Sequence, residues 1–297
     1  MKNYSTVLIL YNPYAMRGRI DEFLPSIKKR LLLRFSTVDM IASPNEEGVE
    51  DIANKNAGKY DIIIACGGDG TVHQTINGVM KSGYKPLVGI LPYGTCNDVA
   101  FTLGIPHDLN KALDCILRLN VTKYDLMYDG TDYITYALAT GYLTDASYSA
   151  RKNVKKKFGR FAYVLAGIKS FFKIPALPMT IEFDGERING KFTYFMLMNG
   201  YRVGGFKINM DEKLNNGTIK LVAIKKSNGL ATLFRFIKLF LRGVKAFKPD
   251  NKFVIVKDID KVKIENHSNT PFTLDGEKIN FLKKSIKVNT SIELIIK

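Results

Sequence analysis

Cysteines and uninterrupted apolar runs are both scarce in this sequence of 297 residues. The three cysteines, Cys66, Cys96 and Cys115, are odd in number, and their spacing fits no zinc site. We therefore expect a reducing compartment and predict a cytoplasmic protein. The two most apolar later stretches, 161–179 and 229–247, are interrupted by lysine and arginine. Neither of them predicts a membrane span.

Acidic residues are also few in comparison with basic ones. The chain has 28 Asp and Glu against 44 Lys and Arg, which gives a formal net charge of +16. This excess favours an anionic partner, namely nucleic acid, an acidic membrane or phosphorylated ligands, although a well-solvated lysine-rich surface would also account for it. Nucleic acid is not expected, because the sequence contains no recognition motif and no clear stacking platform.

Two hydrophobic patterns divide the chain. In the first part, apolar runs of strand length such as 7–11 and 87–91 alternate with helical periodicity, which is typical of a parallel sheet covered on both faces. The second part has short alternating strands separated by turn pairs such as Asp184-Gly185. This pattern favours an antiparallel sandwich with one or two inserted helices. We predict an α/β domain over residues 1–123 and an all-β domain over residues 124–297.

A glycine-rich loop follows one of the buried strands. It reads Gly67-Gly68-Asp69-Gly70-Thr71 and precedes a predicted helix. Glycines allow backbone amides to approach a phosphate closely, and the N-terminus of the helix favours an anion. Asp69 alone would repel phosphate, so it indicates either a bridging Mg²⁺ or a carboxylate that holds the loop in place. An ordinary strand-to-helix turn with an Asp or Thr cap is the alternative.

A second loop also joins a buried strand to a helix. It reads Leu91-Pro92-Tyr93-Gly94-Thr95-Cys96-Asn97-Asp98. Thr95 can donate its hydroxyl to a phosphate oxygen, Asn97 can order the loop, and Asp98 can bind a metal directly or through water. Ligands bind at the carboxyl edge of a parallel sheet, and we therefore expect both loops to line one site.

These loops, together with four further markers, resemble the catalytic-domain family of diacylglycerol kinases, particularly its stand-alone bacterial lipid kinases. The resemblance covers essentially the whole chain, whereas the first glycine motif alone is shared with NAD kinases and sphingosine kinases. It implies a Rossmann-like N-terminal domain, a C-terminal β-sandwich and an active site in the cleft between them. It also implies ATP as donor, Mg²⁺ as cofactor and a lipid alcohol, first of all diacylglycerol, as acceptor. The further markers are Asn12-Pro13, Asn77-Gly78, Asp125 and Leu274-Asp275-Gly276-Glu277.

The resemblance implies roles for individual residues. Glu277 becomes the general base that takes the proton of the acceptor hydroxyl, and Asp69 becomes a second catalytic residue, close to Mg²⁺. An ordinary hairpin turn, like that at Asp184-Gly185-Glu186, is the alternative for Glu277. The implied nucleotide contacts are Asn12, Ser43, Gly67, Gly68, Asp69, Gly70, Thr71, Thr95 and Asn97. The implied metal-binding residues are Asp98, Asp125, Asp211, Leu214 and Asn216.

Three segments depart from the family pattern. Tyr14-Ala15-Met16 follows the first strand where the family has Ser-Gly, and His73 and Gln74 stand where it has Asn and Glu. We expect His73 to be a solvated residue at the helix start, with a pH-sensitive contact to a ligand as the alternative. Asn216 replaces an Asp that supports a structural Mg²⁺, which predicts a weaker or absent metal. The departures leave open a catalytically weak regulator that binds lipid or nucleotide. An NAD kinase is disfavoured by the second loop and by the C-terminal Asp-Gly-Glu.

Two basic segments predict peripheral contact with an acidic membrane. Residues 151–161 mix six cations with aromatic side chains. The helix predicted over 230–247 carries a stripe of cations beside apolar side chains, although a core-packed helix with a solvated basic face is the alternative. The family resemblance also suggests a homodimer. The cations are Arg235, Lys238, Arg242 and Lys245, and the apolar residues are Leu233, Ile237, Phe240 and Val244.

Overall fold

The computed structural model describes five ranges of the chain, 4–13, 20–43, 47–141, 176–210 and 213–297. The altered segment after the first strand, the predicted basic segment 151–161 and the predicted metal ligand Asp211 therefore lie outside the described residues.

The N-terminal part is a parallel sheet with helices around it. The strands lie in the order β2-β1-β3-β4, and β1, β3 and β4 are almost wholly apolar and buried, as strands covered on both faces should be. The strands are β1 (Thr6–Tyr11), β2 (Thr37–Ala42), β3 (Ile62–Gly67) and β4 (Leu87–Pro92). The helices are α1 (Leu24–Leu31), α2 (Glu47–Asn56), α3 (Asp69–Ser82), α4 (Asp98–Thr102) and α5 (Leu109–Arg118), with a 3-10 turn at Ile20–Glu22.

The last strand of the chain returns to this first sheet. β17 (Lys283–Ile295) pairs antiparallel with β5 (Val121–Tyr128), and its Leu294 lies beside Val88 of β4 in parallel register. Leu294 is fully buried in the core of the N-terminal part. The division at residue 123 stays a prediction, and these contacts add that the two ends of the chain share one core.

The C-terminal part is built from antiparallel strands. The long strand β9 (Glu186–Met198) pairs with β8 through its first half and with β7 and β12 through its second half, so it passes from one sheet of the sandwich to the other. Large buried side chains such as Phe192, Phe195 and Phe272 fill the space between the sheets. The remaining strands are β6 (Tyr133–Ile134), β7 (Ala137–Gly141), β8 (Leu177–Phe183), β10 (Arg202–Val203), β11 (Phe206–Lys207), β12 (Ile219–Lys225), β13 (Val254–Ile259), β14 (Lys261–Asn266), β15 (Phe272–Leu274) and β16 (Glu277–Ile279). The predicted α/β plus antiparallel all-β fold is confirmed.

One helix, α6 (Gly229–Arg242), packs on the outer face of the second sheet of the sandwich, which is formed by β7, the second half of β9, β12 and β13. Its N-cap is Asn228, whose side chain accepts from the Ala231 amide at 2.8 Å. It ends at Gly243, where a Cβ would lie 2.4 Å from the Ile208 carbonyl oxygen, and a short 3-10 turn follows. The helix is therefore shorter than the predicted 230–247. Within the described ranges, no helix combines the length and apolarity needed to cross a membrane.

Candidate active site

Loops of the N-terminal part meet at the carboxyl edge of the parallel sheet. Asn12 follows β1, Ser43 follows β2, and Gly67 ends β3. The Asn12 amide donates to the Cys66 carbonyl at 3.3 Å, and the Ser43 amide donates to the Tyr11 carbonyl at 2.9 Å. The residues predicted to contact nucleotide are thus gathered along one edge, where open α/β sheets bind their ligands.

The two glycine-containing loops touch through their backbones. A Cβ on Gly94 would lie 2.4 Å from the Cα of Gly68, and one on Gly67 would lie 2.3 Å from Thr71 Oγ1. The Tyr93 amide donates to the Gly67 carbonyl at 2.8 Å. Close packing between the loops therefore requires Gly68 and Gly94, while Gly67 leaves room for Thr71 of its own loop, whether or not their amides also approach a phosphate.

Asn97 closes the second loop on itself. Its side-chain oxygen accepts from the Gly94 amide at 2.8 Å, and its side-chain nitrogen donates to the Gly94 carbonyl at 2.9 Å. Asn97 has a left-handed φ of 51°, a conformation that Asn adopts more readily than most residues. Thr95 lies within the closed loop and is exposed, so its hydroxyl is accessible to a ligand.

Asp69 connects the two loops. It is the first residue of α3, and its Oδ1 accepts hydrogen bonds from the amides of Asp98 at 2.6 Å and Val99 at 3.4 Å. Burial, together with repulsion from the Asp98 carboxylate, raises the pKa of Asp69 to about 6. An environment that disfavours the carboxylate in this way gains stability from a cation placed nearby.

Asp98 anchors a loop from the C-terminal part. Its Oδ1 accepts from Arg202 Nε at 2.7 Å and from the Gly205 amide at 3.0 Å, and its Oδ2 accepts from the Gly204 amide at 2.5 Å. The Arg202 guanidinium also lies 4.1 Å from the centre of the Phe101 ring. Oδ1 of Asp98 therefore has two protein donors and Oδ2 has one, which leaves one lone pair of Oδ2 for a metal or a water molecule.

The β15–β16 hairpin carries the candidate base and is held by a buried carboxylate. The two Asp275 oxygens accept from the Thr135 amide at 2.5 Å, the Thr135 hydroxyl at 2.7 Å, the Tyr136 amide at 3.0 Å and the Ala137 amide at 2.8 Å. Asp275 Oδ2 also contacts His73 Nδ1 at 2.8 Å. Asp275 is 3% exposed. The hairpin is thus fixed to the start of β7 and to helix α3 at the same time.

His73 is buried between α3 and the β15–β16 hairpin, and the prediction that it is solvated is wrong. Burial by itself lowers the pKa of His73, but the bonded Asp275 carboxylate, with Glu277 and Asp132 nearby, raises it above its ordinary value. The sequence could not reveal this, because the partner of His73 lies 202 residues away along the chain. The neighbouring Gln74 is also buried, and its Oε1 has no hydrogen-bond partner among the described residues.

Glu277 is exposed one residue beyond the fixed Asp275-Gly276 turn. Its carboxylate is close enough to His73 to help raise the pKa of the imidazole. The sequence also gave no reason to single out Tyr136, whose phenol lies near Asp69, Asp98 and Asp275. Burial and these carboxylates hold the pKa of Tyr136 well above its ordinary value, so the phenol stays neutral.

Asn77 and Gly78, another pair of residues that carries the family resemblance, both have structural roles. Its side-chain nitrogen donates to the Tyr133 carbonyl at 2.8 Å, and its oxygen accepts from the Tyr133 amide at 2.8 Å. This pair of bonds fastens α3 to the edge strand β6. Gly78 allows α2 to pack against α3, because a Cβ there would lie 2.2 Å from the Glu50 carbonyl oxygen.

The predicted metal-binding segment lies against Asp125. The Asp125 amide donates to the Leu214 carbonyl at 2.9 Å, and Asp125 Oδ2 accepts from the Gly217 amide at 2.7 Å. Asn216 Oδ1 accepts from the Thr218 amide at 3.1 Å and so is already used within its own turn. The structure places Asp125 of β5 against the segment that contains Leu214 and Asn216. Asp211 lies outside the described residues.

The groups around Asp125 are oxygens of the kind that bind a hard cation. Two buried oxygens close to this segment, Asn199 Oδ1 and Thr218 Oγ1, have no hydrogen-bond partner among the described residues. Carbonyl, hydroxyl and carboxylate oxygens are the ligands that Mg²⁺ takes in proteins. Across the described ranges, however, no three His, Cys, Asp or Glu side chains form a group that could hold a metal.

Comparison with known proteins identifies the family. The family model of the diacylglycerol kinase catalytic domain matches residues 6–128. A diacylglycerol kinase of Staphylococcus haemolyticus is 32% identical over 292 residues, which cover 95% of this chain and 87% of that protein. The chain belongs to the diacylglycerol kinase family. Another diacylglycerol kinase, of Staphylococcus saprophyticus, is 30% identical to this kinase over 91% of the chain and 88% of that protein.

Solved structures share the fold of this kinase. The crystal structure of a diacylglycerol kinase from Bacillus anthracis str. Sterne superimposes with a TM-score of 0.79 at 21% identity, covering 100% of this chain and 98% of the other. A second solved chain from that organism gives a TM-score of 0.83 at 23% identity, covering 100% and 99%. The predicted family and fold are confirmed, and the chain is an enzyme of the lipid kinase type.

Proposed function

We propose that this kinase transfers the γ-phosphoryl group of ATP to the hydroxyl of diacylglycerol and forms phosphatidic acid. The observation that carries the proposal is the 2.8 Å contact between His73 and Asp275. It ties the helix that follows the glycine-rich loop to the hairpin that bears Glu277. The candidate base and the candidate nucleotide loops are thereby linked by one buried contact, which supports the fixed relative position that transfer between two bound substrates requires.

Different groups of the site would contact the nucleotide and the lipid acceptor. On the nucleotide side, the exposed Thr95 hydroxyl and the half-buried backbone from Gly68 to Gly70 would contact phosphate oxygens. On the acceptor side, Glu277 accepts the hydroxyl proton while the hydroxyl oxygen bonds to the γ-phosphorus and ADP leaves. Asp69, the first residue of α3, provides the negative charge that a cation would need.

The proposal includes Mg²⁺ because Asp69 and the residues around Asp125 supply oxygen ligands that suit this ion. When bound, it neutralises phosphate charge and orients the transferred group. Asp69 would hold the catalytic ion from the glycine-rich loop. Asp125, with the Leu214 carbonyl and Asn216, would hold a second, structural ion.

The first test is transfer of labelled phosphate from ATP to a panel of lipid alcohols in anionic vesicles, with NAD as an alternative acceptor. The expected result is labelled phosphatidic acid that depends on Mg²⁺ and is absent with Asp69→Asn. Label in another lipid would keep the lipid kinase and change its acceptor. Label in NAD alone would refute the proposal.

The structural ion has its own test in the Asn216→Asp variant. A carboxylate at this position adds a charged ligand beside Asp125, so the Mg²⁺ concentration needed for half-maximal stabilisation against heat should fall about tenfold. An unchanged Mg²⁺ dependence would mean that position 216 is not at a metal.

A catalytically weak regulator is the second candidate. The observation that favours it is the buried Gln74, whose Oε1 lacks a partner among the described residues where the family has a Glu. It predicts binding of ATP without transfer to any acceptor, with activity gained in Gln74→Glu. Transfer at a normal enzymatic rate by the unaltered protein would refute it.

A further inference from the structure

Helix α6 exposes a row of large apolar side chains. Leu230 is 65% exposed, Phe234 60%, Ile237 39% and Leu241 77%. Their spacing of four, three and four residues places them on one stripe, because each residue turns the helix by about 100°. The row lies on the solvent side of the helix, where folding alone gives no reason for apolar residues.

The opposite face already anchors the helix to the protein. Phe236 and Leu239 are buried against the outer face of the second sheet. The Phe236 ring packs edge-on to Tyr194 at a centroid distance of 5.4 Å, and Phe240 packs edge-on to Phe206 at 5.0 Å. The helix therefore has two apolar faces, and only one of them is used within the chain.

Basic side chains flank the exposed row. Lys238 and Arg242 are exposed, and at about 100° per residue they lie on the same side of the row. Arg235 lies next to them, with its guanidinium 4.4 Å from the centre of the Phe253 ring, which is itself 41% exposed. Residues 213–249 contain no Asp or Glu at all. The exposed side of α6 is therefore apolar and cationic.

The helix is physically connected to the candidate active site. At its end, the Val244 amide donates to the Ile208 carbonyl at 2.9 Å, just beyond β11. The β10–β11 hairpin that precedes Ile208 carries Arg202, which binds Asp98. One short hairpin thus lies between the end of α6 and the second loop of the site.

We propose that Leu230, Phe234, Ile237 and Leu241, the apolar row, insert into the headgroup boundary of an anionic bilayer. Lys238 and Arg242 then lie against the lipid phosphates, since apolar burial and attraction between opposite charges act together at such a boundary. That this contact presents a bilayer acceptor to the site rests on the function proposed above; the contact itself does not.

A second copy of the chain is a poorer occupant of this surface. A two-fold contact through the row would bring the same patch of both copies together. Two copies of a cationic helix would then lie close together, and residues 213–249 contain no carboxylate that could compensate Lys238 and Arg242. Charge complementarity therefore selects anionic lipid.

The test is flotation of the full chain with vesicles of phosphatidylcholine and phosphatidylglycerol. The double variant Phe234→Ser with Leu241→Ser should bind at least about tenfold more weakly, because two large side chains no longer leave water. The matched control is Leu33→Ser with Leu282→Ser, two residues that are 80% and 68% exposed elsewhere on the surface. This control should bind like the unaltered protein.

Other outcomes would overturn the proposal. Equal binding by the apolar-row variant and the control would exclude the row from the membrane contact. A dimer by light scattering that the row variant converts to a monomer would make the row an interface between copies. Transfer to a short-chain diacylglycerol in detergent micelles separates the two proposals, since the row variant should retain it. Absence of that transfer in the unaltered protein would refute the proposed function while the flotation result still stands.

Discussion

Two hairpins of this kinase share the tripeptide Asp-Gly-Glu and the same turn, yet only one of them is built into a site. At Asp184-Gly185 the φ angles are 49° and 77°, and at Asp275-Gly276 they are 46° and 97°. Two consecutive positive φ values are those of the type I′ turn, which Asp-Gly favours. Asp184 is exposed, whereas Asp275 is buried and accepts hydrogen bonds from β7 and contacts His73. The tripeptide determines the turn. The contacts of the Asp determine whether the hairpin is attached to the candidate site.

The largest expected difference between the hairpins is in catalysis. Glu277→Gln removes the proposed base, and kcat should fall by about 10²–10⁴-fold, the usual contribution of a general base. Glu186→Gln makes the same change in the other hairpin, where the side chain is exposed and far along the chain from the site residues, and kcat should not change. The measurement is steady-state phosphoryl transfer with both variants under saturating ATP. Equal rates for the two variants would return Glu277 to the status of an ordinary turn residue.

A smaller difference is expected in stability. Asp275→Asn places an amide nitrogen among the donors of Thr135 and Ala137, so the free energy of unfolding should fall by about 3–5 kcal/mol, as when one partner of a buried pair is removed. Asp184→Asn should change it by less than about 0.5 kcal/mol, because the site is exposed and Asn also adopts positive φ. Urea unfolding followed by circular dichroism measures both. A similar loss in both variants would mean that the turn, and not its surroundings, carries the energy.

The features that the sequence predicts correctly are those determined by residues close together in the chain. The ends of the parallel strands located both loops, because an apolar run that ends in glycine or Asn-Pro is a local signal. Alternation and Asp-Gly pairs located the antiparallel strands in the same way. The carboxyl edge of the sheet then follows from topology alone.

Contacts between distant residues had no such signal. Arg202 lies 104 residues from Asp98 along the chain, and no local sequence pattern predicts that the two residues are in contact. His73 looks like a solvated helix start until Asp275 packs against it. The face of α6 that packs was also ambiguous. Leu233 and Phe240 are partly buried, and Val244 is buried just beyond the end of the helix, but Ile237 is in the exposed row. A helix that is apolar on two sides does not reveal by periodicity which side is buried.

The smallest expected effect is a pH dependence that belongs to the His73–Asp275 pair. Because the pKa of His73 is raised, its contribution to stability is complete below the unfolded value of about 6.5 and is lost as pH rises through the folded value. Burial raises the pKa of Asp275, but His73 and the bonded amides lower it below its ordinary value, so its contribution is lost only as pH falls through that lowered value. The hairpin is therefore held most firmly from mildly acid pH up to about 6.5.

His73→Asn tests this window, since Asn can still donate to Asp275 but cannot titrate. The free energy of unfolding of the unaltered protein should fall relative to that of His73→Asn by about 1 kcal/mol as pH rises above 6.5, the usual size of one hydrogen bond. His267→Asn, a change at an exposed histidine outside the site, should not alter the pH dependence. A constant difference between the unaltered protein and His73→Asn across the range would mean that His73 keeps one protonation state there. The attachment of the Glu277 hairpin would then rest on the backbone amides of β7 and not on a charge.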